Sequence, residues 1–285
     1  MAENKPLDSP YPVFFEDAFE SDGFSIYELL NLSSMRSKDK IEDRMMYRNE
    51  LVRLLETNLK AVAPMTFRWD INSKEFESTS MLFELYLTSL ALGEELLRTG
   101  KHYKEAGSIF RHCKDILKVW KTTELIYPCC PHVCTNEYLN NMMLLAKGSH
   151  LLKTMRLGPR RNIVLASAMK FCGQVSFHLK DWSEKALNHY LVARALLYND
   201  ISQKGKDQLE QGDKANLSFT AAQEALQVCN LINRSKCDMD EALDAELNNV
   251  LSETENLMSS LQQVFFAVDV PLENIKLPAS LKNDS

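Results

Sequence analysis

Apolar side chains recurring at spacings of three and four, with few residues able to interrupt them, constrain this chain more than any other feature. From residue 38 the first series runs through Ile41, Met45, Arg48, Val52, Leu55, Leu59 and Val62, with Arg48 its only polar break, and Pro64 is expected to end the helix. A second helix, about 76–98, is apolar on more than one side (Met81, Leu82, Phe83, Leu85, Tyr86, Leu87, Leu90, Leu92), which predicts a central position. Its small residues Ser89, Ala91 and Gly93 would let a neighbour approach closely. A third, about 101–120, carries the stripe Tyr103, Ala106, Phe110, Cys113, Leu117 and Trp120. Further helices are expected at about 136–157, 160–180, 183–203, 214–233 and 239–266. Between the first two, Thr66-Phe67-Arg68-Trp69-Asp70 reads as a short aromatic turn. No sustained alternation at period two is apparent, so the expected fold is all-α. Only 9 glycines and 9 prolines among 285 residues agree with long helices and short connections.

Tyr103/Ala106 and Tyr190/Ala193 recur in a way that suggests helix pairs of tetratricopeptide type. A fixed period of about 34 residues is missing, so an irregular helical solenoid fits better than a regular array. Residues 1–22 mix prolines, acids and aromatics without a period and are expected to form an irregular arm. Its Tyr11, Phe14, Phe15 and Phe19 would either dock on the body or present a motif to a partner. Residues 23–278 are expected to form a single helical domain, with 279–285 as a tail.

A formal charge of −6 argues against general nucleic-acid binding. The seven cysteines, odd in number and scattered, read as reduced thiols in a cytoplasmic setting. The first residues lack the apolar core of a secretory signal, and no run approaches the ~18 apolar residues of a membrane span.

Signs of catalysis are sparse. Cys129-Cys130-Pro131-His132-Val133-Cys134 is the one metal-like cluster, but its candidates are crowded into six consecutive positions and no second ligand pair follows. A reduced loop is favoured over a zinc site. A thiol- or metal-dependent enzyme centred on Cys129, Cys130, His132 and Cys134 is the competing reading from another class. The six histidines fall outside any nucleophile motif and read as helix-surface or boundary residues. No enzyme activity and no cofactor are expected.

The sharpest local anomaly lies between Lys147 and Arg161. Lys147, Lys153, Arg156, Arg160 and Arg161 fall there without an acid, in a chain of net charge −6. They would either complement a helix C-terminus or rim an apolar groove that receives an acidic amphipathic helix. In the helix that follows, Val164, Ala168, Phe171, Val175 and Leu179 make one stripe, and Leu165 and Met169 lie on an adjacent face. That second face needs either an internal neighbour or an external partner.

Several motifs in order resemble the Bro1-like domain family. Thr66-Phe67-Arg68-Trp69 looks like the family's "TFxW", and Ser80-Met81-Leu82-Phe83-Glu84-Leu85 resembles its "VLFN" helix. His102-Tyr103 through Phe110-Arg111-His112-Cys113-Lys114 resembles "HYxxAAGIFxHLK". Trp182 through Leu197 resembles a later helix, and Phe265-Phe266-Ala267-Val268-Asp269-Val270-Pro271 looks like "FIYxxxVP". The resemblance covers roughly 40 to 278 in a chain shorter than the usual domain. It implies a curved helical solenoid acting as an adaptor in endosomal sorting, in the multivesicular body pathway, with no catalytic role. The partner it implies is the C-terminal helix of an ESCRT-III subunit. Leu152, Leu165 and Met169 would be exposed apolar anchors, and Lys153, Arg156, Arg160 and Arg161 would supply steering charge. Association with endosomal membranes would be peripheral and weak. The alternative is a diverged helical signalling scaffold on the same fold with another partner, such as a small GTPase or a kinase.

Overall fold

The computed structural model describes residues 11–13, 34–36, 40–57, 62–71, 73–123, 131–154, 160–175, 180–206, 212–232 and 241–268. The helical expectation holds along most of this length, and the period-two reading fails between 62 and 80. There the chain forms strands β2 (Val62–Ile71) and β3 (Lys74–Ser80), paired antiparallel with Ile71 opposite Lys74. A short β1 (Tyr11–Val13) adds to the other edge of β2, with Tyr11 opposite Asp70. The supposed aromatic turn is therefore the middle strand. Phe67, Trp69 and Ile71 point inward and are buried, while Thr66, Arg68 and Asp70 point away. Ser73 closes the hairpin with φ 59, the left-handed conformation that such tight turns demand.

The first helix, α1 (Ile41–Thr57), ends before Pro64, which lies inside β2. Its buried face is Tyr47, Leu51, Leu54 and Leu55. Of the stripe read from the sequence, Leu55 belongs to that face, whereas Ile41, Met45, Arg48 and Val52 sit on its edge and are only partly covered; Leu59 lies outside the described residues. Helix α2 (Met81–Arg98) begins after the strand instead of at 76. Ser80 caps it, its hydroxyl accepting from the Phe83 amide at 3.1 Å. As its all-round apolar pattern predicts, α2 is buried on nearly every side, with α1 and α3 (Tyr103–Thr123) packed on it. The α3 stripe Tyr103, Ala106, Phe110, Cys113, Leu117 and Trp120 is fully buried. At Gly93 an added Cβ would lie 2.7 Å from the Phe110 ring, so α2 and α3 meet there without room for a side chain.

Glu84 lies inside this layer at 0% exposure. Arg36 Nε donates to its Oε1 at 2.7 Å, Tyr47 O–H to the same oxygen at 2.7 Å, and Trp69 Nε1–H to Oε2 at 2.6 Å. Arg36 Nη2 also donates to the Arg68 carbonyl at 2.9 Å, and its guanidinium lies 5.2 Å from the Trp69 ring centroid. One carboxylate thus ties residue 36, α1, β2 and α2 together. It is the kind of buried charge that persists only with a full set of donors. Glu94, farther along α2, is equally buried. Glu94 accepts from Tyr138 O–H at 2.6 Å.

The remaining helices are α4 (Asn136–Thr154), α5 (Arg161–Gly173), α6 (Lys180–Lys206), α7 (Gly212–Leu231) and α8 (Glu241–Val268). By contacts the chain divides into two compact units, residues 1–147 with 175–183, and residues 148–174 with 184–285. In the second unit Leu152, Leu165 and Ala168 share a core with Val192, Ala193, Leu196, Ala221, Ala225, Leu247 and Val250. No described helix is long and apolar enough to cross a membrane.

Candidate functional site

The basic segment and the helix after it are positioned by a glycine. A Cβ on Gly148 of α4 would collide with Cys172 Sγ and lie 3.2 Å from the Ala168 carbonyl, so α5 lies directly against α4 at this point. That approach turns the Leu165, Ala168 and Cys172 face of α5 inward. Leu152, one turn beyond Gly148, enters the same core.

Leu165 is 0% exposed and Leu152 3%, so neither is an exposed anchor. The expectation of a surface patch at these two residues is overturned, because the internal neighbour that the sequence left open is present. Met169 is half-buried and packs against the same core. Arg161 Nε donates to Asp200 Oδ2 at 2.8 Å, and its Nη2 pairs with Glu246. Burial alone would lower the Arg161 guanidinium, but Asp200 and Glu246 outweigh it and raise the group above its ordinary value. Its charge is spent inside the fold, not offered to a partner. Lys153 is half-buried, Arg160 is exposed, and Arg156 lies outside the described residues.

The outward face of α5 holds a residue the sequence reading passed over. Ile163 is 68% exposed, and Ala166, Ser167 and Lys170 follow it on one helical face. With Arg160 immediately before the helix, this face carries one large apolar group between two exposed cations. Ile163 precedes the buried Leu165 by two positions, nearly opposite it on the helix, and the sequence alone does not say which face is covered.

The segment at 129–134 does not assemble a site among the described residues. Cys134 is buried, whereas His132 is exposed and edge-on to Tyr138 at 5.8 Å between ring centroids; Cys129 and Cys130 lie outside the described residues. No three metal-ligating side chains come together among the described residues. The histidines are not all boundary residues. His189 is 2% exposed, and its Nδ1 is 2.7 Å from Ser149 Oγ. Burial, helped by Lys185, lowers the His189 imidazole to about 3, so it stays neutral. The pair has the spacing of a nucleophile and its base, but Ser149 is 1% exposed and sealed in the core. Burial likewise pushes the Cys172 thiol up to about 12, which leaves it unreactive.

No family model matches the chain. No curated protein sequence matches it significantly.

Proposed function

We propose that this chain is a non-enzymatic adaptor whose second unit receives an acidic amphipathic helix on the outer face of α5. The observation that carries this is Ile163, a large apolar side chain 68% exposed at the start of a helix and flanked by the exposed cations Arg160 and Lys170. Such a pairing suits an apolar anchor on a partner helix with carboxylates one turn away. The ordered motifs that resemble the Bro1-like family supply the identity of that helix: the C-terminal segment of an ESCRT-III subunit, bound in endosomal sorting. On this reading the helices pair in tetratricopeptide fashion as a Bro1-like solenoid, and the protein works in the cytoplasm at endosomal surfaces.

A specific observation favours a second reading. Leu152 and Leu165, the positions that the resemblance assigns to the ESCRT-III contact, are buried. A diverged scaffold of the same architecture, with a different protein partner on the Ile163 face, accounts for that directly.

The test is a titration of the purified chain with C-terminal helical peptides from a panel of ESCRT-III subunits, repeated with Ile163→Asp. Micromolar binding of one peptide, lost in the folded variant, supports the adaptor and its site together. Binding that survives Ile163→Asp removes the site. No binding by any peptide moves the reading to the diverged scaffold.

A further inference from the structure

Arg48 is the residue that broke the first helical stripe, and it lies half-buried in the first unit. Its Nε donates to Ser89 Oγ of α2 at 3.0 Å, and its Nη1 reaches Asn49 Oδ1 at 3.4 Å. Among the described residues no carboxylate pairs with it. Arg36, Arg53, Arg68, Arg98, Arg161 and Arg194 each pair with one. A guanidinium has five N–H donors, and the protein meets only part of that capacity here. Burial lowers the Arg48 guanidinium below its ordinary value, the mark of a charge partly removed from water without a counter-charge. Beside it on α3 is His112, whose Nε2 is buried and has no hydrogen-bond partner. Burial first, and Arg48 second, lower the His112 imidazole, against an opposing pull from Asp115 one turn along α3.

The walls of this place are apolar and incompletely covered. On α1, Ile41 and Val52 are half-buried and Met45 is 46% exposed, all on the edge that carries Arg48. On α3, Ile109 is half-buried on the side that carries His112, and Ile116 one turn on is buried. From Ile41 to Val52 the α1 edge extends roughly 16 Å, three helical turns.

We infer that the α1–α3 edge over Ser89 is a second docking surface, which takes a short amphipathic helix of a partner protein and seats one of its Asp or Glu side chains against Arg48. Charge complementarity selects the occupant. The site offers one guanidinium that no described carboxylate pairs with, which matches a monoanionic carboxylate; a phosphate dianion would call for more cations. The apolar walls select a helix with aliphatic residues a turn either side of the acid. This surface lies in the first unit and is independent of the α5 face.

The experiment is selection of a display library of 12-residue peptides on the purified full chain, followed by fluorescence anisotropy with the enriched peptide. The enriched set should share an Asp or Glu between aliphatic residues at helical spacing. Its Glu→Gln or Asp→Asn form should bind roughly tenfold more weakly or worse, as expected for loss of a charge-assisted contact. Arg48→Met in the protein should weaken binding by a similar factor, and Ile163→Asp should leave it unchanged. Because Arg48→Met removes an uncompensated charge, its melting temperature should equal or exceed that of the parent. Selection without an acidic–aliphatic motif, equal binding to Arg48→Met, or a melting temperature lowered by several degrees would each overturn the inference. The last outcome would make Arg48 a structural group. Met45→Glu, placed on the rim, gives a second check: it should repel the same peptides in a folded protein.

Discussion

Replacing Glu84 by glutamine would change one atom and remove the charge on which the first unit is centred. Two oxygens of Glu84 accept from Arg36 Nε at 2.7 Å, Arg36 Nη2 at 3.3 Å, Tyr47 O–H at 2.7 Å and Trp69 Nε1–H at 2.6 Å. Glutamine keeps one acceptor oxygen, and its NH2 group must face two of those donors whichever way the amide lies. Arg36, with a side chain 4% exposed, is then left without its counter-charge. Breaking a buried pair from one side costs about 3–5 kcal/mol, a large share of the ~5–15 kcal/mol that holds a domain together. For a unit of this size, that corresponds to a fall in melting temperature of roughly 6–20 °C. The assay is urea unfolding followed by tryptophan emission, since Trp69, Trp120 and Trp182 all belong to the first unit and report it alone. Glu84→Leu should be at least as damaging, and adding Arg36→Met to it should recover part of the loss, because the pair rather than either charge is what the interior tolerates. A Glu84→Gln cost below about 1 kcal/mol would refute the reasoning, since it would mean that water already shares these donors.

Three further outcomes are expected. Leu165→Ala should lose about 2–5 kcal/mol by opening a cavity in the second unit, whereas Ile163→Ala should stay within about 0.5 kcal/mol; comparison of their thermal melts checks which face of α5 is core. Gly93→Ala should cost about 1–3 kcal/mol, because Phe110 is itself buried and cannot withdraw from the new methyl group; the same tryptophan-monitored unfolding reads it. His189, lowered to about 3 in the fold, takes up its proton more readily when unfolded, so its contribution is complete above the ordinary histidine range and is lost as pH falls toward 3. Between about pH 6.5 and 5 the second unit should lose roughly 2 kcal/mol, read by amide exchange in α6, and His189→Gln should flatten that dependence.

The long helices were legible because their apolar periods are set by their own neighbours in sequence; the α3 stripe needs nothing else to be recognised. The hairpin was not. Phe67, Trp69 and Ile71 alternate with polar residues, but Leu59 and Val62 happen to extend the α1 spacing toward them, and Pro64 reads as a helix stop before it reads as part of a strand. The α5 assignment failed for a different reason. Two apolar faces are visible in its sequence, and the choice between them is made by the missing side chain of Gly148 on another helix. Periodicity names the faces of a helix; only the neighbour decides which one stays dry. Arg48 is visible as a break in a stripe, yet that no described carboxylate pairs with it depends on its neighbours across α2, which no local pattern records.

Buried thiols among the described residues turn each unit into its own clock. Alkylating reagents attack the thiolate, and burial raises the Cys113 and Cys172 thiols and hides both from solvent. Labelling at either position therefore waits for the surrounding structure to open. Cys113 and Cys134 belong to the first unit and Cys172 to the second, so mapping the label by peptide over time would give two opening rates from one sample of unmodified protein. Should an occupant of the α1–α3 edge slow the reaction of Cys113 and leave Cys172 untouched, the effect of binding would be local to the unit that binds.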